Sequence, residues 1–330
     1  MTTIIDLAKE AGVSKTTISR YLNGEAKGHI SPQTQVRIKK AIQDLNYRPN
    51  EIARELKGTK TKVVGIVVND LSNPFFLSML QEIDLKLRDS GYNMMVCNSE
   101  MDVTRETELL KMLDQKRMDG IIVIGLNMSA AHVTRLGLSA PIVFFERDEE
   151  ECKYDSLKID NKKGTELATE YLIHKGYRRI AHITGSGNSV SQERTMVFLH
   201  CMKEEGITVP QDYIECGNYK MDEAYLATER LFQLKEKPDA IFCSNDSMAF
   251  GAMRYLLEHS YRIPYDVGIV GYDDTEMAQV VTPALTTIRQ PVRRLAQMGT
   301  EILLQRMGRN KEFPRQDIVL EPELVVRRSS

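Results

Sequence analysis

The chain has 330 residues, with 44 Lys+Arg against 46 Asp+Glu and a formal net charge of −2, so its overall charge marks neither a nucleic-acid nor a membrane partner. Its five cysteines (Cys97, Cys152, Cys201, Cys216 and Cys243) are odd in number and scattered, which argues against a disulfide framework or a zinc site and suits a reducing cytosol. No apolar N-terminal region and no run of 18 apolar residues occurs, so a cytoplasmic protein with no membrane partner is expected.

Charge is unevenly spread, however. Residues 1 to 60 hold 11 Lys+Arg against 6 Asp+Glu, and the remainder holds 33 against 40. A basic N-terminal module therefore precedes an acidic body. Thr3 to Asn23, TIIDLAKEAGVSKTTISRYLN, reads as two short helices joined at Ala11-Gly12-Val13. Thr3 with Asp6 forms an acidic variant of the capping box, Gly12 supplies the left-handed exit, and Ser14 is placed to cap the second helix. On that helix Ile18, Tyr21 and Leu22 fall on one side, expected to bury against Ile5, Ala8 and Val13. Lys15, Thr16, Ser19, Arg20 and Asn23, with Thr17 beside them, form a donor-rich face without an acidic residue. A helix lying in a DNA major groove requires such a face, because Lys and Arg donate to guanine and Ser and Thr hydrogen-bond bases or phosphates. Ser31-Pro32 opens a third helix whose Ile38, Ile42 and Leu45 recur at helical spacing. In NYRPNEIARELKGTK, residues 46 to 60, Pro49 fixes the entry, Asn50 caps, and Ile52, Ala53 and Leu56 share a face. A helix of two turns is marginal alone in water, so this linker is expected to order only against something else.

The run from Ile5 to Leu56 resembles the headpiece and hinge of the lactose-repressor/galactose-repressor family of bacterial transcription regulators. The resemblance rests on IIDLAKEAGVSKTTISRYLN followed by NYRPNEIARELKG. It implies DNA contacts at Lys15, Thr16, Thr17, Ser19, Arg20, Asn23, Asn50, Ala53 and Leu56. It further implies that two hinge helices pair in the minor groove and insert Leu56 between base pairs. The loop Gly24 to Ile30 is slightly longer than in many relatives.

From Val63 strands and helices alternate. The apolar runs VVGIVV (63–68), MMVCNS (94–99), GIIVIG (120–125) and PIVFFE (141–146) suit buried parallel strands. Helices are expected near 75–90, 104–116 and 130–136. A second set is expected to begin near Leu157 with KIDN. It continues through IAHITG (180–185), YIECGNY (213–219), AIFCSND (240–246) and VGIVGYDD (267–274), with helices ending at Gly176 and over 195–205, 222–235 and 247–259. A helix from Val292 to Met307 and one final strand, IVLEPELVV (318–326), close the chain. The fold class is α/β: an N-terminal all-α helix-turn-helix headpiece, then a periplasmic-binding-protein-like pair of doubly wound parallel α/β subdomains with a ligand cleft at their strand ends. The expected domains are a DNA-binding domain at 1–48, a hinge linker at 49–60 and an effector-binding and dimerisation domain at 61–330. Its N-subdomain spans 61–160 and 292–320, its C-subdomain 161–290 and 321–330.

This body also resembles the repressor family, and beyond it the periplasmic sugar-binding proteins, through LSNPFF, RMDGIIVIG, IDNKKG, CSNDSMAFGAM, VGIVGYDD and TPALTTIRQP. The resemblance implies three crossings between subdomains, near Asp160, Pro291 and Leu320, that make a hinge. Sugars bind to aromatic faces and to groups such as Asp, Asn and Arg that satisfy hydroxyls. Residues just beyond strand ends include Phe75, Phe76, Arg147, Asn188, Arg194, Tyr219, Asn245, Asp246 and Asp273. The resemblance implies effector contacts at Phe75, Phe76, Arg147, Arg194, Tyr219, Asn245 and Asp273, whereas Asp246 reads as a helix N-cap.

Nothing in the sequence requires catalysis. GSGNSV (185–190) lacks the third glycine of a dinucleotide loop, the six histidines do not cluster, and no G-x-S-x-G occurs. No catalytic residue, metal or cofactor is expected. The sequence reads as a homodimeric repressor of carbohydrate-utilisation genes. Its partners are near-palindromic double-stranded operator DNA and a small-molecule effector, a sugar or sugar derivative. Only Arg327-Arg328-Ser329-Ser330 follow the last strand, with no leucine heptad to build a tetramer. The alternatives are a sugar-binding receptor or transport component, which has no use for residues 1 to 60, and an NAD-dependent enzyme, which needs the missing glycine fingerprint.

Overall fold

The computed structural model describes the whole chain except residues 1, 23, 24, 27, 48–59, 126, 147–152, 187, 188 and 309–312. The chain divides into two compact units, Met1–Thr61 and Lys62–Ser330.

In the first unit, α1 (Ile4–Ala11), α2 (Lys15–Leu22) and α3 (Pro32–Asp44) close around Leu7, Ala8, Ala11, Ile18, Ile30, Ile38, Ala41 and Tyr47. Thr3 and Asp6 form the reciprocal cap: Asp6 N–H donates to Thr3 Oγ1 at 3.3 Å, and Thr3 N–H to Asp6 Oδ2 at 2.8 Å. Those bonds from Thr3 hold the Asp6 carboxyl below its ordinary range. Gly12 leaves α1 at φ +62°, and Ser14 Oγ accepts from Thr17 N–H at 3.1 Å at the start of α2. Ser31 caps α3 ahead of Pro32. One expectation fails here. Ile5 is 64 % exposed, and Leu7 takes its place in the core. Ile4, Leu7, Ala8 and Ala11 stand at i, i+3, i+4 and i+7 on one helix face, which puts Ile5 beside that stripe.

The second unit begins with β1 (Val63–Val68), α4 (Pro74–Asp89), β2 (Asn93–Asn98), α5 (Val103–Gln115), β3 (Gly120–Ile124), α6 (Ala130–Arg135), β4 (Ile142–Phe145) and β5 (Asp155–Ile159). It continues with α7 (Asn161–His174), β6 (Ile180–Thr184), α8 (Ser189–Glu204), β7 (Ile214–Cys216), α9 (Met221–Gln233), β8 (Ala240–Cys243), α10 (Asp246–Glu258), β9 (Gly268–Asp273), α11 (Glu276–Val280) and β10 (Thr286–Arg289). It ends with α12 (Val292–Met307), β11 (Asp317–Leu320) and β12 (Glu323–Val325). Two six-stranded sheets result, ordered β11-β5-β4-β3-β1-β2 and β12-β10-β9-β8-β6-β7. Every pairing is parallel except β10 with β12. Apolar side chains on both faces of each sheet fill separate cores: Val64, Ile66, Ile122, Phe145 and Leu303 lie on one face of the first, and Val67, Leu110, Ile121 and Phe144 on the other. Burial on both faces explains why these strands are continuous apolar runs rather than alternating ones.

The chain passes between the sheets three times: after β5, between β10 and α12, and between β11 and β12. Three sequence expectations need correction. The strand containing Leu157 belongs to the first sheet, paired with β4 and β11, so the second sheet starts at Ile180. The run 318–326 is two strands: Glu321-Pro322 interrupts it, and each half joins a different sheet. Pro322 lacks the N–H that a continuous ladder needs. Thr286–Arg289 forms a strand that the sequence reading missed, because its Thr and Arg content hides a run buried at Thr286, Thr287 and Ile288.

Candidate functional site

The carboxyl ends of both sheets open into one cleft, where open α/β sheets place their ligands. The first sheet contributes Asn69 and Asp70 after β1, Phe75 and Phe76 at the start of α4, Gly125 after β3 and Glu146 after β4. The second contributes Arg194 on α8, Tyr219 beyond β7, Ser244 and Asn245 after β8, and Asp273 at the end of β9; Gln290 lies on the middle crossing. The cleft holds about 670 Å³ not occupied by atoms, solvent at its mouth included.

Asn73 Oδ1 accepts from Phe75 N–H at 3.0 Å and Pro74 starts the helix, so α4 begins at the cleft floor. This places the Phe75–Phe76 pair there, edge to face at 5.3 Å between ring centroids. Both are buried and share the first sheet's core. Tyr219 reaches the cleft from the other side. The expected strand 213–219 stops at Cys216, and a turn with left-handed Asn218 and Tyr219 (φ +49° and +60°) follows. Its ring lies over Gly185, where a Cβ would sit 2.5 Å from the tyrosine hydroxyl.

Arg194 is buried and held by groups of the protein. Its Nε and Nη2 donate to Asn161 Oδ1 at 3.0 and 2.7 Å, Nη1 donates to the Ser244 carbonyl at 2.5 Å, and the guanidinium lies 3.5 Å above the Tyr272 ring. Gly164 leaves room for that ring. Asp273 accepts from Gln290 Nε2 at 2.6 Å and has φ +120°. Burial, reinforced by the nearby Asp246 carboxylate, pushes its pKa well above the ordinary aspartate value, although Arg194 and the Gln290 bond oppose this. Glu146, at φ +57°, accepts from Ile159 N–H at 3.2 Å. Burial raises its carboxyl to about 7 against the pull of Arg194. Left-handed backbone at non-glycine residues costs about 1–3 kcal/mol each, and Met101, Glu146, Tyr219 and Asp273 all adopt it around this cleft.

Asn245, not Asp246, caps α10, accepting from Met248 N–H at 2.8 Å. Its Nδ2 donates to the Tyr219 carbonyl at 3.3 Å. Asp246 is fully buried, and its carboxyl accepts from Thr287 Oγ1 at 2.6 Å and from Thr275 N–H at 2.7 Å. Burial is the main reason that carboxyl is raised to about 7.

In the first unit, Lys15, Thr16 and Arg20 are exposed on α2, with Thr17 and Ser19 half-buried. Thr17 Oγ1 lies 2.9 Å from Ser14 Oγ, within the cap. Residues 3–50 match the family model described as bacterial regulatory proteins, lacI family, and residues 169–330 match the periplasmic binding protein-like domain. The HTH-type transcriptional repressor PurR of Vibrio vulnificus (strain CMCP6) is 35 % identical over 330 residues, covering 99 % of this chain and 98 % of that protein. The chain belongs to the lacI family of bacterial regulatory proteins. It is a DNA-binding transcriptional regulator with a ligand-binding body, not an enzyme.

Among solved structures, the lac repressor dimer bound to operator and the anti-inducer ONPF is 26 % identical, with a TM-score of 0.87 over 99 % of this chain and 98 % of that one. A CelR–cellobiose complex is also 26 % identical, with a TM-score of 0.74 and 100 % of both chains covered. No helix among the described residues is long and apolar enough to cross a membrane.

For a lacI-family chain, Phe75, Phe76, Arg194, Tyr219, Asn245 and Asp273 all come together in the cleft, whereas Arg147, Asn188, Asn23, Asn50, Ala53 and Leu56 lie outside the described residues. Sequence reasoning missed Asn69, Glu146, Asn161, Ser244 and Gln290. Asn69 and Glu146 carried a usable signal: each is the first polar residue after an apolar strand run, VVGIVVN and PIVFFE.

Proposed function

We propose that this chain is a cytoplasmic, homodimeric repressor that binds near-palindromic operator DNA, and that a sugar in the cleft sets its operator affinity at carbohydrate-utilisation genes. The observation that carries the sugar reading is the cleft itself, which Phe75, Phe76 and Tyr219 line together with Arg194, Asn245 and Asp273. Apolar ring faces suit the CH patches of a pyranose, and the polar groups suit its hydroxyls. The cellobiose bound to CelR, and the operator and anti-inducer bound to the lac repressor dimer, agree with this reading.

In this mechanism α2 enters the major groove and presents Lys15, Thr16, Thr17, Ser19 and Arg20, while Asn23, Asn50, Ala53 and Leu56 complete the DNA contacts. The effector acts by linkage: it changes operator affinity only because it binds the DNA-competent and incompetent states of the cleft unequally. The two sheets with their helices, 61–160 with 292–320 and 161–290 with 321–330, are the moving parts. Arg194 and Glu146 couple the sugar to that motion, since Arg194 bonds Asn161 and Glu146 bonds Ile159, on either side of the first crossing.

The test is selection of binding sites from a random duplex pool, followed by titration of the selected site with uncharged sugars. A near-palindromic consensus whose affinity changes with one sugar is the expected result. A failure to select any site returns the receptor reading.

A further inference from the structure

Two buried side chains in the cleft have an acceptor with no partner among the described residues, Asn69 Oδ1 and Gln290 Oε1. Each residue is 5 % exposed. In both cases the amide nitrogen is committed: Asn69 Nδ2 donates to the Gly125 carbonyl at 2.9 Å, and Gln290 Nε2 donates to Asp273 Oδ1 at 2.6 Å. Those bonds set the orientation of each amide and leave the oxygens bare. Asn69 follows β1 of the first sheet, whereas Gln290 follows β10 of the second and leads into the middle crossing.

The rest of the cleft is also rich in acceptors. Glu146 and Asp273 are carboxyl groups, and among the described residues neither is in an ion pair. The Arg194 charge is shared between them, and three of its N–H donors are already held by Asn161 and Ser244. Among the described residues, a phosphate here would meet two carboxyl groups and two unpaired amide oxygens with one partly spent guanidinium to balance them. An uncharged ligand with several hydroxyl or N–H donors meets the groups that need it.

We propose that Asn69 and Gln290 are the specificity-determining residues of the cleft, and that together they select an uncharged, hydrogen-bond-donating effector and reject its phosphorylated form. A single ligand that donates to both oxygens links the two sheets, so the same contacts that choose the effector also favour the closed cleft. This inference rests on the effector reading above and refines it.

The test uses the full-length chain and matched probes: glucose, fructose, ribose, sucrose and cellobiose, their monophosphates, and the free nucleobases adenine and guanine. Binding is read by calorimetry on the wild type and on the Asn69→Leu and Gln290→Met variants. The expected result is binding by an uncharged probe at least tenfold tighter than by its phosphate, reduced about tenfold or more in each variant. A nucleobase that binds more tightly than every sugar and phosphate, and about tenfold or more weaker in each variant, supports the selection of uncharged donors and overturns the sugar reading. A phosphate that binds more tightly than its parent sugar overturns the inference and leaves the sugar reading standing. The wild-type comparison decides the matter even where a variant folds poorly, and wild-type affinity in both folded variants also overturns the inference.

Discussion

The placement of Tyr219 depends on one absent methyl group, and restoring it tests the aromatic wall of the cleft. A Cβ on Gly185 would lie 2.5 Å from the Tyr219 hydroxyl oxygen and closer still to Cε2 and Cζ. Gly185 has no positive φ, so alanine suits its backbone and the clash falls on the tyrosine ring. A ring at the end of a side chain yields before the strand does, so Gly185→Ala should swing Tyr219 out of its seat while β6 stays paired. The ligand then loses an aromatic face worth about 0.5–1.5 kcal/mol, roughly a two- to thirteenfold weakening of effector affinity. Operator binding without effector should be unchanged. Because both act through one ring, Gly185→Ala and Tyr219→Ala should not add: the double variant should match Tyr219→Ala alone. The assay is titration of operator-bound protein with the most effective sugar, read by fluorescence polarisation for the wild type, both singles and the double. Additive losses, or a Gly185→Ala response equal to wild type, would refute the argument.

Arg20→Ala should weaken specific operator binding by about 1–3 kcal/mol if Arg20 reads a base edge, while its thermal unfolding stays as in wild type because the side chain is exposed on α2; equal affinity for the selected site would remove Arg20 from the interface. The pH dependence of stability follows from Glu146 and Asp246, which titrate near 7 in the folded chain against ordinary values of 4.5 and 3.8, partly opposed by the buried His182, where burial lowers the imidazole from 6.5 to about 4. The native chain holds more protons than the unfolded chain between about pH 4 and 7. Its stability is therefore full below that window and falls as pH rises through it. Urea unfolding at pH 5.5 and pH 8 should show a loss of about 2–3 kcal/mol, reduced in Glu146→Gln; equal or greater stability at pH 8 would contradict the burial argument. On α11, Met277 and Val280 are 54 % and 72 % exposed, and we expect this face to take part in dimerisation. Val280→Asp should raise the dimer dissociation constant by sedimentation without altering secondary structure, and an unchanged constant would move the interface elsewhere.

The headpiece was almost wholly legible because its signals are local. Thr3, Gly12, Ser14 and Ser31 act within four residues of where they stand, so sequence spacing is enough to place them. Ile5 failed because it stands one residue off the i, i+3, i+4, i+7 stripe of Ile4, Leu7, Ala8 and Ala11. The sheets were legible as apolar runs, but sheet membership only through the resemblance, which implies the crossings near Asp160, Pro291 and Leu320. Whether β5 joins β4 or begins a new layer depends on pairing across dozens of residues, and the run 318–326 gives no periodic sign that it changes sheets. In the cleft, residues at strand ends could be found because the architecture puts ligands there. Their commitments to the protein could not. Asn245 is a cap, Arg194 is held by Asn161, and Asp246 anchors Thr275 and Thr287. The contacts of Arg194 and Asp246 are long-range, with no sequence spacing of their own, whereas the Asn245 cap reaches only three residues ahead.

The change of sheet at Glu321-Pro322 also limits how the cleft opens. Leu320 is the last residue paired in one sheet and Glu323 the first paired in the other, so only three backbone steps join them. An extended chain spans at most about 3.6 Å per residue, so these two positions can never be more than roughly 11 Å apart. With β11 and β12 each at an edge of its sheet, this short strap holds those edges together like a book's spine. The sheets are free to turn about it but not to slide apart. Opening is therefore an angular motion, small beside the strap and growing with distance from it, so the far lip of the cleft travels furthest for any given turn.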